Sequence, residues 1–337
     1  MNNKKIAVFL PLLAVLLFGI IIASKKSKTY QQDKGMVFGT VYSITYENTE
    51  NLKAEIEAVM DSVNNSLSPF NEKSVITMVN KSKKIAPVDD MFCEVFEMAE
   101  AVSKDTEGAF DITVAPLVNL WGFGFKSGEM PTDAKVDSLL KIVGFGKVTL
   151  VGKQVMKTDE RVMLDCSAIA KGYAVDAVAR MLRRKGIENF LVEIGGEIVA
   201  SGHNKEDKEW RIGVTKPTDD SLNVENELQT VLKLTDIAMA TSGNYRNFYY
   251  RDGKKFAHTI DPKTGRPIQH SLLSATVIAS ECAIADAYAT SFMVMGMEKA
   301  KEVLKRHPDM MAYFIYSDAE GNNAVWYSEG MKKIINE

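Results

Sequence analysis

The sequence predicts an α+β protein with mixed, largely antiparallel sheets flanked by helices. Short runs of β-branched and aromatic residues are separated by Gly or charged turns, and single amphipathic helices interrupt them. This order differs from the regular strand–helix alternation of a doubly wound sheet. No GxGxxG motif follows a predicted strand and no GxxxxGKS/T motif occurs, so a nucleotide would not bind through either of these loops.

Residues 1–30 form a predicted signal or anchor segment. Two lysines precede an uncharged run over residues 6–24, and three more lysines follow it. The nineteen residues of that run can just cross a bilayer, which needs about 20. Because no A-x-A cleavage site follows and no cysteine lies near its end, an uncleaved anchor is favoured over a cleaved signal, and a lipid anchor is excluded. Lysines on both flanks leave its orientation open.

Composition excludes several classes of protein. With 46% hydrophobic and 25% charged residues, the chain is typical of packed globular proteins and not of disordered ones. Five of the 41 basic residues, but no acidic residue, lie in the first 30, so the remainder is acidic and nucleic acid is not an expected partner. Cys93, Cys166 and Cys282 have no CxxC spacing, and the four histidines form no HExxH pair. Neither a disulfide framework nor a zinc hydrolase is indicated.

From residue 31 to residue 337 the chain is predicted to form one domain, because no linker, repeat or low-complexity tract interrupts it. Its first half predicts one strand and three helices. The strand covers Phe38–Tyr46, which is rich in β-branched and aromatic residues. Residues 51–65 carry apolar side chains at helical spacing. Asp89 or Asp90 caps a second helix, and a third helix ends at Gly144.

The second half predicts a cluster of short strands interrupted by a helix over Ala168–Lys185. Four cations lie near the end of that helix and Gly186 follows it, which favours termination there. The predicted strands cover residues 147–151, 154–158, 161–165, 190–194, 197–201 and 210–214.

A further predicted helix over Cys282–Thr290 carries the most informative pair of side chains. Asp286 and Thr290 are four residues apart, so a carboxylate and a hydroxyl lie on the same helix face. Such oxygen donors suit Mg²⁺ or Ca²⁺ better than Zn²⁺. A solvated Asp beside a Thr that bonds back to its own helix would give the same pattern.

Two earlier segments contain groups that could bind a ligand, the first a flat apolar ring such as a flavin and the second a phosphate. Residues 108–124 combine glycines with aromatics that could line a flat apolar ring, although a turn packed on core aromatics would look the same. In Asp165–Asp176 a predicted strand ends in an acid and a helix begins at once. A helix N-terminus attracts phosphate and Lys171 adds a positive charge, but a capped helix with a solvated lysine is the alternative.

Two later segments are also candidates. Glu193–Glu197 contains a Gly-Gly turn between strands, where a ligand could approach bare backbone. After Ala240–Arg246 comes His258–Pro267, which places His258 beside a tight loop. A histidine there is compatible with general acid–base chemistry, although a lone histidine is usually structural.

Taken together, these segments resemble one family, the FAD:protein FMN transferases, or ApbE-type flavin transferases. The resemblance runs from Phe38 to about Met295, and its specific blocks are Asp165–Asp176, His258–Pro267 and Ala285–Thr290. It implies an ApbE-like fold and a Mg²⁺-dependent enzyme that moves the FMN half of FAD onto a Ser or Thr hydroxyl of an acceptor protein, releasing AMP.

The resemblance also implies roles for individual residues. Asp286 and Thr290 are expected metal ligands, helped by main-chain oxygens of Ala168 and Ala283. Independently of the resemblance, the acceptor hydroxyl would benefit from a base because its pKa lies far above 7, and His258 is the candidate, with Asp165 as a rival. The residues expected around FAD are Phe38, Phe70, Ala109, Phe110, Asp111, Asp165, Lys171, His258 and Ile260. The chain departs from the usual family pattern at Phe38, where Met is common, and at Cys166, where a plain apolar residue is usual.

Location and partners follow from the same resemblance. We expect a bacterial protein anchored in the cytoplasmic membrane by its N-terminus, with residues 31–337 as a catalytic domain facing the periplasm or exterior. The acceptor would carry a Ser/Thr flavinylation motif and belong to a membrane redox complex. Two other functions use the same residues: an FAD pyrophosphatase that gives FMN and AMP, and a non-catalytic flavin-binding membrane protein.

Overall fold

The computed structural model describes residues 28–123, 131–216, 228–244, 248–251 and 254–336. The predicted anchor run over residues 6–24 lies outside these ranges. Within them, no helix combines the length and the apolarity that crossing a bilayer requires.

Eight α-helices and eighteen strands are described in these ranges. The helices are α1 (Lys53–Leu67), α2 (Val75–Lys81), α3 (Asp90–Asp105), α4 (Ala115–Leu120), α5 (Asp133–Leu140), α6 (Ala170–Arg184), α7 (Cys282–Met295) and α8 (Met297–Arg306). The strands of the first part are β1 (Tyr30–Val37), β2 (Thr40–Glu47), β3 (Ile85–Pro87), β4 (Val148–Val151), β5 (Gln154–Lys157), β6 (Phe190–Ile194), β7 (Glu197–Ser201), β8 (Trp210–Thr215) and β9 (Leu228–Leu234). Those of the second part are β10 (Ile237–Gly243), β11 (Phe248–Arg251), β12 (Lys254–Ala257), β13 (Ile260–Asp261), β14 (Arg266–Pro267), β15 (Leu272–Ala279), β16 (Met311–Ser317), β17 (Asn323–Tyr327) and β18 (Ile335–Asn336).

An eight-stranded sheet in the order β1-β2-β6-β7-β10-β15-β16-β17 forms the centre of the molecule. Each pair of neighbours in it is antiparallel. Two three-stranded sheets, β18-β9-β8 and β3-β5-β4, and two hairpins complete the strand pairing described. The predicted α+β class with largely antiparallel sheets is confirmed.

Both faces of the central sheet are covered, each by a different layer. The main apolar core lies between the sheet and helices α1, α3, α6 and α7, and includes Ile56, Phe96 and Phe292. On the opposite face, the β18-β9-β8 sheet contributes Trp210 and Leu232 to a second core. All five residues of β7 are therefore buried, as expected for a strand covered on both faces.

The first predicted strand is shorter than expected, because residues 38 and 39 form a turn. Phe38 has φ 52° and Gly39 has φ 75°, and Val37 pairs with Thr40 across the two-residue connection. Two positive φ values are the signature of a type I′ hairpin turn. The prediction that Phe38–Tyr46 is one strand was therefore wrong at its start, since β2 begins at Thr40.

The prediction of a strand over residues 161–165 was wrong. Val162 and Leu164 are buried, which gave the alternating pattern, but the backbone here pairs with side chains instead of a neighbouring strand. Leu164 exchanges two hydrogen bonds with the Asn80 amide, at 2.7 and 2.9 Å. The Lys157 ammonium donates to the Val162 carbonyl at 3.1 Å.

Most predicted helices differ from the observed ones only at their ends, where sequence signals are weakest. Asp89 is the N-cap of α3 and accepts the Phe92 N–H, which confirms one of the two predicted caps. The third helix, α5, ends at Leu140. Gly144, expected to end it, has φ 128° and precedes a short 3-10 turn.

Candidate active site

Helices α6 and α7 approach each other closely at Gly172. A Cβ atom on Gly172 would lie 2.3 Å from the Cys282 carbonyl oxygen and 2.8 Å from the Ala283 Cα. The absence of a side chain therefore permits the contact. The Gly172 N–H donates to Oδ2 of Asp286 at 3.1 Å, so the backbone of α6 fixes a carboxylate of α7.

Asp176 on α6 holds the N-terminus of α7. Its two carboxylate oxygens accept the N–H groups of Cys282 at 2.9 Å and Ala283 at 2.8 Å. The first N–H groups of a helix have no intrahelical partner, so this carboxylate supplies the cap from a different helix. Burial raises the pKa of Asp176 to about 6, although these two backbone donors favour the charged form.

Lys171 lies between two buried carboxyl groups. Its Nζ is 3.0 Å from Oε1 of Glu197 and 3.7 Å from Oδ2 of Asp286, and both acidic side chains are 3% exposed. Burial alone would lower the pKa of Lys171, but the carboxylates of Asp286 and Glu197 raise it above its ordinary value. Lys171 is therefore a cation at neutral pH.

Glu197 begins β7 directly after the turn of Gly195 and Gly196, both of which have positive φ. Burial raises the pKa of Glu197 to about 7, against the opposing charge of Lys171. Its Oε2 is buried and has no hydrogen-bond partner. An unpaired polar atom in the interior is uncommon and costly.

Thr290 lies one helical turn after Asp286 on α7. Its hydroxyl is 3.0 Å from that of Ser242, near the end of β10. This contact places the last residues of β10 beside the α7 face that carries Asp286. The pairing with Ser242 also shows that Thr290 has a partner outside its own helix.

Just before α6, one carbonyl oxygen takes no part in helical hydrogen bonding, whereas most of the N–H groups are already hydrogen-bonded. Ala170 donates to the Cys166 carbonyl at 2.8 Å, and Gly172 donates to Asp286 instead of to the Ala168 carbonyl four residues earlier. The Ala168 oxygen is thus released from helical bonding. For a phosphate, the main attraction at this end of α6 is the Lys171 ammonium, because most nearby N–H groups are already used.

The β1–β2 turn packs against the Gly-Gly turn that precedes Glu197. The Gly195 N–H donates to the Val41 carbonyl at 2.9 Å. A Cβ atom on Gly195 would lie 2.8 Å from Cγ2 of Thr40. Phe38, in the strained turn, packs on the main core. The positive φ of Phe38 is the one that a type I′ turn requires, and its role at the FAD site stays a prediction.

A groove of about 180 Å³ lies beside Asp165. Asp165 and Phe70 both line it, which brings together two residues expected around FAD, and the Phe70 side chain is 69% exposed. The groove residues are Pro69, Phe70, Thr77, Asn80, Lys81, Ala115, Asn119, Met163, Leu164 and Asp165.

Ala109, Phe110 and Asp111 are buried and directly precede Ile112. The Asp165 N–H donates to the Ile112 carbonyl at 2.7 Å, which joins the two segments. Asp111 accepts both the N–H and the hydroxyl of Thr113, at 2.8 and 2.6 Å. Burial raises the pKa of Asp111, opposed by these hydrogen bonds.

His258 and Ile260 lie beside the Trp121 segment. The rings of His258 and Phe123 are 6.4 Å apart in an edge-on arrangement. Ile260 packs in a small core with Trp121, whose indole N–H donates to the Gly265 carbonyl at 2.7 Å.

The structure thus forms two groups of candidate residues connected through the segment 165–171. One contains Lys171, Asp286 and Thr290, and the other contains Asp165 and Phe70 at the groove. His258 and Ile260 lie beside Phe123 and Trp121. Sequence reasoning gave no role to Glu197. A signal was present, since Glu197 is a charged residue that opens the otherwise apolar run Glu197–Ala200.

Known proteins of one family match most of this chain. The sequence profile described as the ApbE family matches residues 38–315. The chain belongs to the ApbE family. A relative from Vibrio cholerae named FAD:protein FMN transferase is 37% identical over 294 residues, covering 84% of this chain and 87% of the relative. One of the same name from Escherichia coli is 34% identical over 315 residues, covering 90% and 88%.

Solved structures of ApbE proteins show the same fold. The flavin transferase ApbE from Vibrio cholerae superposes with a TM-score of 0.82 at 34% identity, covering 91% of this chain and 99% of that one. The ApbE protein from Thermotoga maritima gives 0.81 at 28% identity, covering 92% and 100%. The expected ApbE-like fold is confirmed over nearly the whole described chain.

Proposed function

We infer that this ApbE-family chain is an enzyme that transfers FMN from FAD to an acceptor protein. The inference rests on the relatives named for that reaction, which match most of the chain at 34–37% identity. The observation in the structure that supports it best is the cluster of Lys171, Glu197 and Asp286. A cation held by buried carboxylates at the start of a helix suits the pyrophosphate of a dinucleotide.

We propose that the acceptor contributes a Ser or Thr hydroxyl. The hydroxyl oxygen forms a bond to the phosphorus of the FMN half, the bridging P–O bond of FAD breaks, and AMP leaves. Phosphoryl transfer of this kind depends on positioning and electrostatics more than on covalent chemistry by the enzyme. Lys171 would bind the departing phosphate oxygens.

We propose Mg²⁺ as the metal, held by Asp286, Thr290 and the Ala168 carbonyl. The described residues contain no cluster of three or more His, Cys, Asp or Glu side chains, so a zinc-type site is not supported. An all-oxygen set suits Mg²⁺, and the Ala168 carbonyl, which Gly172 does not bond, fits that use. When bound, the metal would neutralise charge on the pyrophosphate.

Ala283 remains a predicted ligand. Its N–H is taken by Asp176, and its carbonyl lies in the first turn of α7, where a regular helix uses it internally. His258 remains the proposed general base and Asp165 its rival. The Asp165 carboxylate accepts the Ser167 N–H at 2.8 Å, which favours a structural role for one of its oxygens.

We further propose that residues 6–24 anchor the enzyme in a bacterial cytoplasmic membrane, with the described domain on the outer side. The support is the uncharged run flanked by lysines. The acceptor is then a protein exposed at the same face, and we propose a subunit of a membrane redox complex. Protease added to sealed spheroplasts, before and after permeabilisation, would test the orientation. A domain on the outer side is digested before permeabilisation, whereas a domain on the inner side is digested only afterwards.

The function is tested by incubating the protein with FAD, MgCl₂ and a candidate acceptor, followed by intact-mass measurement. We expect the acceptor to gain the mass of FMN and AMP to appear in equal amount. An acceptor with its Ser or Thr replaced by Ala is the control and should gain nothing. Release of free FMN and AMP without any acceptor modification would instead identify a pyrophosphatase.

A further inference from the structure

We propose that Glu197 is a positioning residue that holds the Lys171 ammonium away from Asp286, and so keeps the Asp286 carboxylate open to a divalent cation. This inference rests on the metal site proposed above. It assigns to Glu197 a function that neither the sequence pattern nor the family comparison supplied.

Lys171 lies closer to one of its two carboxylate partners than to the other. Lys171 Nζ lies 3.0 Å from Glu197 but 3.7 Å from Asp286. The shorter distance is a close ion pair, whereas the longer one is a weaker charge contact, since the attraction between two charges falls with their separation. The ammonium is therefore drawn to Glu197, although both carboxylates are within its reach.

The position of Asp286 makes this preference important. One of its oxygens, Oδ2, already accepts the Gly172 N–H at 3.1 Å and faces Lys171. If the ammonium moved into full contact, both a backbone donor and a lysine would occupy this carboxylate. A divalent cation would then have to displace a like charge from its principal anionic ligand.

Glu197 is almost completely buried. Its side chain is 3% exposed, and Oε2 has no partner. Burying a carboxyl group with one oxygen unpaired costs stability, and replacing a whole buried ion pair by apolar residues is often neutral or stabilising. Stability alone therefore gives no reason for a glutamate here, whereas holding Lys171 does.

The backbone also fixes where Glu197 can point. It is paired with Ile194 as the first residue after the two-glycine turn of the β6–β7 hairpin, and the turn is tied to β2 through Gly195 and Val41. A carboxylate on this rigid hairpin is a stationary anchor for the flexible lysine side chain on α6.

The test is a double-mutant cycle in which the affinity for Mn²⁺ is measured in the absence of FAD. Mn²⁺ is titrated into the parent, Glu197→Gln, Lys171→Met and the double variant, and free Mn²⁺ is measured by electron paramagnetic resonance. In the parent background, Glu197→Gln should weaken Mn²⁺ binding by about tenfold, because the ammonium then pairs with Asp286. In the Lys171→Met background the same change should have an effect of less than about twofold. Coupling of this kind identifies residues that act through one another.

Glu193→Gln is the matched control. Glu193 is a partly buried glutamate on the same hairpin, and burial raises its pKa as it does that of Glu197. It forms no ion pair with Lys171 in the described structure. We expect the Glu193→Gln variant to bind Mn²⁺ as tightly as the parent. Thermal unfolding of each variant checks that the fold is retained.

Lys171→Met alone gives an independent readout if Glu197→Gln does not fold. Loss of the competing ammonium should strengthen Mn²⁺ binding several-fold. Unchanged or weaker binding would overturn the proposal, as would an equal effect of Glu197→Gln in both backgrounds, since Glu197 would then act on the metal directly. Absence of Mn²⁺ binding to the parent would overturn it too.

The same samples separate this inference from the proposed function. FMN transfer by the parent together with an additive cycle would reject the role of Glu197 and leave the transferase intact. A coupled cycle in a parent that transfers no FMN to any acceptor would support the role of Glu197 and count against the transferase.

Discussion

The Gly172 N–H donates to the Asp286 carboxylate across 3.1 Å, so one helix uses its backbone to orient the acidic side chain of another. The contact needs a residue without a Cβ atom at position 172, because the Cys282 carbonyl lies where that atom would be. Helix packing and the candidate metal ligand thus depend on the same glycine.

Gly172→Ala should therefore damage both stability and activity. Overpacking of this kind costs about 1–3 kcal/mol, and we expect a loss near the upper limit because the obstacle is backbone. Chemical denaturation gives the free energy of unfolding. Gly146→Ala is the control, since its added Cβ would meet no atom within 4 Å. Equal stability of the two variants would show that α6 and α7 are not in close contact.

Asp286→Asn should remove metal-dependent transfer while keeping the fold. Asn retains an oxygen that can accept the Gly172 N–H, but it lacks the negative charge that a divalent cation requires. We expect the transfer rate at saturating FAD to fall by at least about a hundredfold, since bound metal contributes several kcal/mol in such reactions. Parental activity in MgCl₂ would reject the metal assignment.

His258→Ala should slow transfer and leave FAD binding largely intact. A well-placed general base contributes about 10²–10⁴-fold, and FAD affinity is measured separately by flavin fluorescence quenching. Asp165→Asn, assayed in parallel, tests the rival base. If the histidine variant transfers FMN at the parental rate, His258 is not the base.

Asp176→Ala should destabilise the protein to an extent that depends on pH. Two helix N–H groups lose their acceptor, which costs about 1–3 kcal/mol. The folded pKa of Asp176 is about 6 against an ordinary 3.8, so the folded state binds more protons between these values. The stabilising contribution of Asp176 is therefore greatest below about pH 4 and decreases as the pH rises through about 6.

The measurement is the difference in unfolding free energy between parent and Asp176→Ala at several pH values from 4 to 8. Groups common to both proteins cancel in that difference. A difference that grew as the pH rose would mean that Asp176 has a lowered pKa in the folded protein.

Asn80→Ala should weaken FAD binding although Asn80 carries no charge. Its amide makes two hydrogen bonds to the Leu164 backbone, and these position the adjacent Asp165. We expect a stability loss of about 1–3 kcal/mol and a several-fold higher Kd for FAD. Asn65→Ala is the control, because it removes an exposed side-chain hydrogen bond, the one from Asn71. Unchanged FAD affinity in Asn80→Ala would exclude Asp165 from the FAD site.

Local patterns in the sequence determined much of the secondary structure and several candidate residues. Helix α3 and its Asp89 cap, the hairpin of β6 and β7, and the Asp286–Thr290 spacing on α7 all follow from interactions between residues close in the chain. Such interactions depend on periodicity, capping and turn chemistry, which a single sequence contains.

Tertiary structure alone decided the remaining features, because they join residues far apart in the chain. The alternation at residues 161–165 predicted a strand, but Asn80 and Lys157 take up the backbone groups that a strand would pair. Only folding brings Glu197 to Lys171, or makes Gly172 the contact between α6 and α7. Pairing and burial set the charge environment of a site, and neither can be derived from neighbouring residues.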